Sequence, residues 1–262
     1  MANDYFQFRQ FLIRQERCAM RVSTDATLLG AWARAGAADR VGGRILRILD
    51  VGTGTGVIAL MMAQRYPEAR VTAIEIDADS AAQAQENALS SPFSDRVTVI
   101  HGDFIGWKPS GPSSDSLFDA IVCNPPYFRI NPSKSAPSED RRRRARQQFS
   151  LDYAALVRES SRLLVPGGTL SVVFPTADYN KLCGLAVMSG LRVARCCHVC
   201  TVDGKPPKLT LIEFSNLADS QSDSDVSTVV LQSRDGSRSP WYAALTESFY
   251  LPQPPKKSSH HD

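Results

Sequence analysis

The sequence predicts an α/β fold: a seven-stranded, mostly parallel sheet flanked by helices, with an antiparallel hairpin at one edge. Three observations lead there. From residue 44 to residue 190, short apolar runs of strand length alternate with stretches of helical periodicity. A turn with three glycines, "GTGTG", joins the first of these strands to the first of these helices. Two long apolar runs, 191–202 and 208–216, are separated only by the turn "DGKPP" and so pair as a hairpin.

The elements follow in order. Residues 5–22 alternate loosely and suggest a short hairpin. Thr24 can cap a helix through "DATLLGAWARAG", with Leu28, Leu29, Trp32 and Ala33 on one face. Residues 1–40 therefore read as an N-terminal extension packed on a larger domain spanning 41–251. "ILRILDV" (45–51) is the first buried strand, and the helix "VIALMMAQRY" after the glycines stops at Pro67. "RVTAIEI" (70–76) is the second strand, and Asp77 or Ser80 caps the helix "ADSAAQAQENAL". "RVTVIHG" (96–102) and "FDAIVC" (118–123) are the third and fourth strands. The helix "LDYAALVRESSRLL" ends at "VPGG", before the fifth strand "TLSVVF" (169–174). The helix "TADYNKLCGLAVMSG" has Gly190 as its C-terminal stop. Beyond the hairpin, the Ser/Asp-rich stretch 217–228 reads as a flexible connection. "VVLQSRDGSRSPWYAALTESFYL" can dock back as a terminal strand and helix, and 252–262 read as a disordered tail.

Composition narrows the class. Of 262 residues, 43% are hydrophobic, enough for a sizeable core, and the net charge of +3 is too mild to specify a partner. Six unevenly spaced cysteines in a chain of this size point to reduced thiols in a cytoplasmic protein. No apolar run reaches membrane-spanning length, and "MANDYFQFRQ" lacks the apolar core of a signal peptide. "CCHVC" (196–200) lacks a second ligand pair for zinc, so no metal is expected, and His101 reads as structural.

The chemistry concentrates at the strand tips, where open α/β sheets bind ligands. Gly52, Gly54 and Gly56, with Thr53 between the first two, let a ligand approach the backbone. Their G-x-G-x-G spacing is not that of a dinucleotide loop, and no Gly-Lys-Ser/Thr follows. Asp50, just before the loop, would repel a pyrophosphate but attract a cationic amino-acid moiety, directly or through water. S-adenosylmethionine, with an ammonium, a sulfonium and no phosphate, fits. Glu75, followed by Ile76, can accept both ribose hydroxyls, whereas Asp77 reads as a helix cap. Asp103 can accept an exocyclic adenine amine with Phe104 beside the ring.

The fourth strand ends in "NPPYF" (124–128). Two prolines there deprive the sheet of backbone donors, a cost that calls for a use. A conjugated amine is a poor nucleophile because its lone pair is delocalised. The Asn124 side-chain oxygen and the Pro125 carbonyl can grip its hydrogens and favour the pyramidal form, with Pro126 holding the geometry. Tyr127 offers a stacking face, and Phe128 a second. Positioning and fixed dipoles then supply the rate gain, without a strong base.

The set "LDVGTGTG", "IEID", "HGDF" and "CNPPYF" resembles the class I S-adenosylmethionine-dependent methyltransferases that act on amines. "FQFRQFLIRQERCAMRVSTDATLLGAW", "GKPPKLTLIEF" and "YAALTESFYL" extend the likeness over nearly the whole chain to the tRNA1(Val) adenine-37 N6-methyltransferase family. The resemblance implies a Rossmann-like class I fold and methylation of adenine N6 in a tRNA anticodon loop. It places Asp50, Gly52, Thr53, Gly54, Glu75, Asp103 and Phe104 around the cofactor and Asn124 to Tyr127 around the target amine. It also implies that Arg21 to Asp25 close over the cofactor. Ribosomal RNA, DNA or a glutamine side chain are alternative methyl acceptors, and a silent RNA-binding module is the alternative outside enzymes. In this setting the run Arg141, Arg142, Arg143, Arg144 and Arg146 reads as phosphate contacts to RNA.

Overall fold

A computed structural model describes residues 3–34, 45–109, 117–126, 152–216 and 225–252. The chain opens with the antiparallel hairpin β1 (Tyr5–Gln7) and β2 (Leu12–Arg14), then helix α1 (Thr24–Trp32). The central pattern is β3 (Arg47–Val51), α2 (Val57–Arg65), β4 (Arg70–Glu75), α3 (Ala78–Leu89), β5 (Val97–His101) and β6 (Phe118–Cys123). It continues through α4 (Tyr153–Leu163), β7 (Leu164–Pro175), a 3-10 turn at Thr176–Asp178, and α5 (Tyr179–Met188). The strands β8 (Arg192–Val202), β9 (Leu209–Ser215) and β10 (Asp225–Gln232) and helix α6 (Pro240–Thr246) complete it. The large sheet runs β10-β8-β9-β7-β6-β3-β4-β5, with only β9 antiparallel to its neighbours.

The sheet thus has eight strands among the described residues, one more than the sequence predicts. The β8–β9 hairpin lies inside the sheet, because β10 pairs parallel to β8 and takes the edge. Residues 225–228, read as linker, form the first half of β10. The composition misled because an edge strand is held by backbone bonds and can carry polar side chains on its open faces. The remainder of the linker (217–224) and the tail from 253 lie outside the described residues.

Strand periodicity of two sorts the core onto the two faces of the sheet. Ile48, Ala120, Val122 and Cys197 join one cluster with the N-terminal hairpin, α1 and α2. Leu49, Ile121, Cys123 and Cys196 join the other with α4 and α5. The cysteines of "CCHVC" are therefore β8 core residues, and His198 bonds through Nδ1 to Thr210 Oγ1 at 3.0 Å.

Helix α1 is buried from Ala26 to Trp32, not on one face alone, because α2, α6 and the sheet enclose it. Its cap is Ser23, whose Oγ accepts from Ala26 N at 3.2 Å, one residue before the expected Thr24. Gly30 lets it pack closely: a Cβ there would sit 2.8 Å from Met61 Sδ. "VPGG" does not form a turn. The chain passes from α4 straight into β7, whose pairing with β6 shifts register between Phe118 and Ala120. Asn216 fastens this stretch, accepting from Gly167 N at 2.7 Å and donating to Val165 O at 2.9 Å. The expected helix ends hold: α4 ends at Leu163, just before "VPGG", Asp77 caps α3 through Ser80 N at 2.9 Å, and Gly190 takes φ +80° after α5.

Candidate active site

The glycine loop leaves β3 at the centre of the sheet. Gly52, Gly54 and Gly56 all have positive φ, between 55° and 82°. A Cβ on Gly52 or Gly54 would meet nothing within 4 Å, so backbone conformation, not crowding, selects glycine at both. Gly52 N and Thr53 N donate to Ile74 O at 2.9 and 3.2 Å, fixing the loop to β4.

Asp50 is fully buried beneath this loop and does not line the cavity above it. Its Oδ2 accepts from Thr53 Oγ1 at 2.5 Å and from Ala59 N at 3.0 Å, so it ties the loop to the first turn of α2. Burial pushes its carboxyl up to about 7, partly offset by those two bonds. Gly56 also stands outside the lining, against Ala84 of α3.

Above the loop lies a cavity of about 260 Å³. Its floor includes Gly52, Thr53 and Gly54. The tip of β4 contributes Glu75, Ile76 and Asp77, and the tip of β5 contributes Asp103 and Phe104. The tip of β6 contributes Cys123, Asn124 and Pro126. Glu75 Oε2 accepts from Gly54 N at 2.8 Å and Oε1 from Asp77 N at 3.0 Å. Burial raises the Glu75 carboxyl above its usual range. Asp103 is exposed at the mouth and accepts from Ile105 N at 2.8 Å, while Phe104 is buried behind it. Among the described residues Asn124 Oδ1 is buried with no hydrogen-bond partner, where most such groups are satisfied. Pro125 is buried and lies off the lining. Tyr127, Phe128 and the arginines 141–144 and 146 lie outside the described residues.

The fourth wall comes from the N-terminus: Ala19, Met20, Arg21, Ser23 and Ala26 line the cavity. Gln15 latches this strap at both ends, donating to Asn3 O at 2.8 Å and accepting from Val22 N at 2.9 Å. Asn87 of α3 registers it on the loop. Its amide donates to Arg14 O at 2.8 Å and Thr55 O at 2.9 Å and accepts from Arg14 N at 2.9 Å. Periodicity gave no sign of Ala19, Met20 or Asn87, since nothing in their spacing marks a wall made by a distant segment.

The donor set suits a cationic nucleoside. Acids stand at the tips of β4 and β5, the loop amides are partly committed to Glu75 and Ile74, and Asn124 Oδ1 at the β6 corner has no partner among the described residues. Among the described residues no group of three or more His, Cys, Asp or Glu is arranged to hold a metal, and no helix is long and apolar enough to cross a membrane.

Known proteins resemble the chain in sequence and in fold. A family model described as the methyltransferase small domain matches residues 40–186. A Porphyromonas gingivalis protein named tRNA1(Val) (adenine(37)-N6)-methyltransferase is 42% identical over 252 residues, covering 95% of this chain and 96% of the relative. A Bacteroides thetaiotaomicron protein of the same name is 40% identical, covering 96% of this chain and 99% of the relative. The crystal structure of a protein described as a predicted O-methyltransferase from Agrobacterium tumefaciens superimposes with a TM-score of 0.61 at 20% identity. It covers 86% of this chain and 96% of that one, a likeness of fold.

Proposed function

Because the chain belongs to the methyltransferase small-domain family and, within it, to the tRNA1(Val) (adenine(37)-N6)-methyltransferases, we propose that it methylates adenine N6 in the anticodon loop of a tRNA, in the cytoplasm. The observation that carries the reading is the Oδ1 of Asn124, buried and without a partner among the described residues, on a residue that lines the cavity's β6 corner.

The residues present fit S-adenosylmethionine, which when bound supplies an electrophilic methyl on its sulfonium. Glu75 accepts from the ribose hydroxyls through lone pairs its two backbone bonds leave free. Asp103 accepts from the adenine amine of the cofactor, and Phe104 closes the apolar side of that subsite. Asp50 acts from below, holding Thr53 and the start of α2 so that Gly52 and Gly54 keep their backbone shape.

The target adenine must leave its stack to reach the corner. Asn124 Oδ1 and the Pro125 carbonyl accept its N6 hydrogens and localise the lone pair. Pro125 and Pro126 hold those acceptors with little entropy to lose. Tyr127 stacks on the base, with Phe128 beside it. The spare proton leaves to solvent after transfer, so no strong base is required.

The test is transfer of labelled methyl from S-adenosylmethionine to tRNA lacking the modification, with nucleoside mass spectrometry of the product. N6-methyladenosine is expected. Asn124→Ala should lose about 100-fold or more in turnover while cofactor affinity stays unchanged. Normal turnover by that variant would remove Asn124 from the mechanism. Label in ribosomal RNA, DNA or protein in place of tRNA would discard the substrate and keep the chemistry.

A further inference from the structure

The rim at the C-terminal ends of the strands is polarised. Over β4 and β5 it carries Glu75, Asp77 and Asp103, and Arg21 of the strap is committed to Asp4 at 3.5 Å and Asn3 O at 2.9 Å. On the other side of β6 the rim carries basic residues as well as acids. The order β6-β7-β9-β8-β10 brings the start of α5, the β8–β9 turn and the turn after β10 onto the same edge. These place Lys181, Lys205, Lys208 and Arg234 there, all exposed.

Three of the acids described on this half are engaged, and a fourth, Asp152, is exposed at the start of α4. Asp178 accepts from Tyr153 OH at 3.3 Å, Asp203 pairs with Arg234 at 3.3 Å, and Asp235 accepts from Ser237. Lys181, Lys205 and Lys208 form no ion pair among the described residues; Lys181 Nζ lies 5.6 Å from the Tyr153 ring. The turn that carries two of them is held firmly. Lys205 N donates to Val202 O at 3.2 Å and Lys208 N to Val199 O at 3.0 Å. Lys208 O accepts from Thr176 N at 3.0 Å, which pins the turn to the end of β7 beside the catalytic corner. Pro206 and Pro207 stiffen it further.

We propose that the rim over β7 to β10, with Lys181, Lys205 and Lys208, is the track for the phosphate backbone of the RNA substrate; this rests on the reading of the chain as an RNA methyltransferase. Strands lie about 4.8 Å apart, so the track runs about 14 Å from β6 to β8 and about 19 Å to β10. The acids over β4 and β5 repel the same backbone and leave that half to the cationic cofactor. The two substrates therefore approach the β6 corner from opposite sides, and the charge boundary lies where methyl and amine meet. Such contacts position the RNA and set salt dependence; they do not read sequence.

The test reads binding, so that it stands apart from turnover. Affinity for unmodified tRNA transcript is measured by fluorescence anisotropy from low to moderate salt, for the unaltered protein, the double variant Lys205→Glu/Lys208→Glu, and Lys108→Glu, an exposed lysine outside the track. The double variant should bind at least tenfold more weakly, with a log–log salt slope reduced by about 2, while its S-adenosylmethionine affinity and its melting temperature hold. Lys108→Glu should bind as the unaltered protein does. Equal affinity and slope for the double variant, or no RNA binding by the unaltered protein, overturns the track. Binding that depends on the lysines without methyl transfer overturns the catalytic reading and leaves the track standing.

Discussion

Asp50 and Asn124 show how much a single buried polar atom decides. Among the described residues both carry an oxygen without a partner, but the two sit differently at the tips of adjacent strands. Asn124 lines the cavity with its Oδ1 buried, whereas Asp50 lies beneath the loop as a brace. The sequence marks both residues by their places at strand tips, yet it cannot show that Asp50 turns under the loop. That choice follows from the Thr53 hydroxyl and the α2 amide of Ala59, which both donate to Asp50 Oδ2. The brace has a pH signature. With its folded value near 7 and an ordinary value near 3.8, Asp50 binds more protons folded than unfolded between those limits. Its contribution to stability therefore falls as pH rises from about 4 to about 7 and is flat above. Asp50→Asn can still accept both bonds through its amide oxygen and carries no proton to lose. Thermal unfolding from pH 4.5 to 8 should show the unaltered protein losing stability relative to the variant across that window. Parallel profiles would contradict the assignment.

At the scale of elements, strand and helix identity follows from periodicity, and the junctions do not. Apolar runs bounded by glycine or proline mark β3, α2, β4 and β6, because burial on two faces demands a continuous apolar run. At the α4–β7 junction Pro-Gly-Gly is turn chemistry, yet no turn forms. In the fold, Asn216 supplies the bonds that a turn would have made internally, so the chain stays extended. Gly168 is required there for space: a Cβ would stand 2.9 Å from Val165 O and 3.1 Å from Phe118 O, both backbone atoms with little room to move. Gly168→Ala should cost about 1–3 kcal/mol in chemical denaturation, since overpacking against backbone forces β6 and β7 apart. An unchanged denaturation midpoint would show that the junction relaxes freely.

At the scale of the molecule, the first and last described elements pack onto one face of the sheet. Phe8 stacks with Phe11 at 4.7 Å and with Tyr250 at 5.9 Å between ring centres. Tyr250 OH donates to Thr27 Oγ1 at 2.9 Å, and Arg238 stacks over the Tyr250 ring at 4.2 Å. Phe249 is 1% exposed within the cluster that also holds Val71 and Ala120 of the central strands. We propose that 1–40 is an extension which folds only with the domain, and that the strap over the cofactor is held from both termini. Phe249→Ala should then cost about 3–5 kcal/mol and lower the melting temperature of the whole protein in a single transition. Two separate transitions would show that the termini form an independent unit.

By itself the sequence determined the layer order of the domain, the glycine loop, the acids at successive strand tips and the Asn-Pro-Pro corner. These are local patterns, and backbone conformation and strand burial depend on near neighbours. The tertiary structure alone decided that β10 takes the sheet edge, that the N-terminal strap walls the cavity through Gln15 and Asn87, and that Asp50 braces in place of lining. Each of those depends on hydrogen bonds or packing between residues far apart in the chain, as Arg14 and Asn87 are, and no spacing along the sequence records such a partnership.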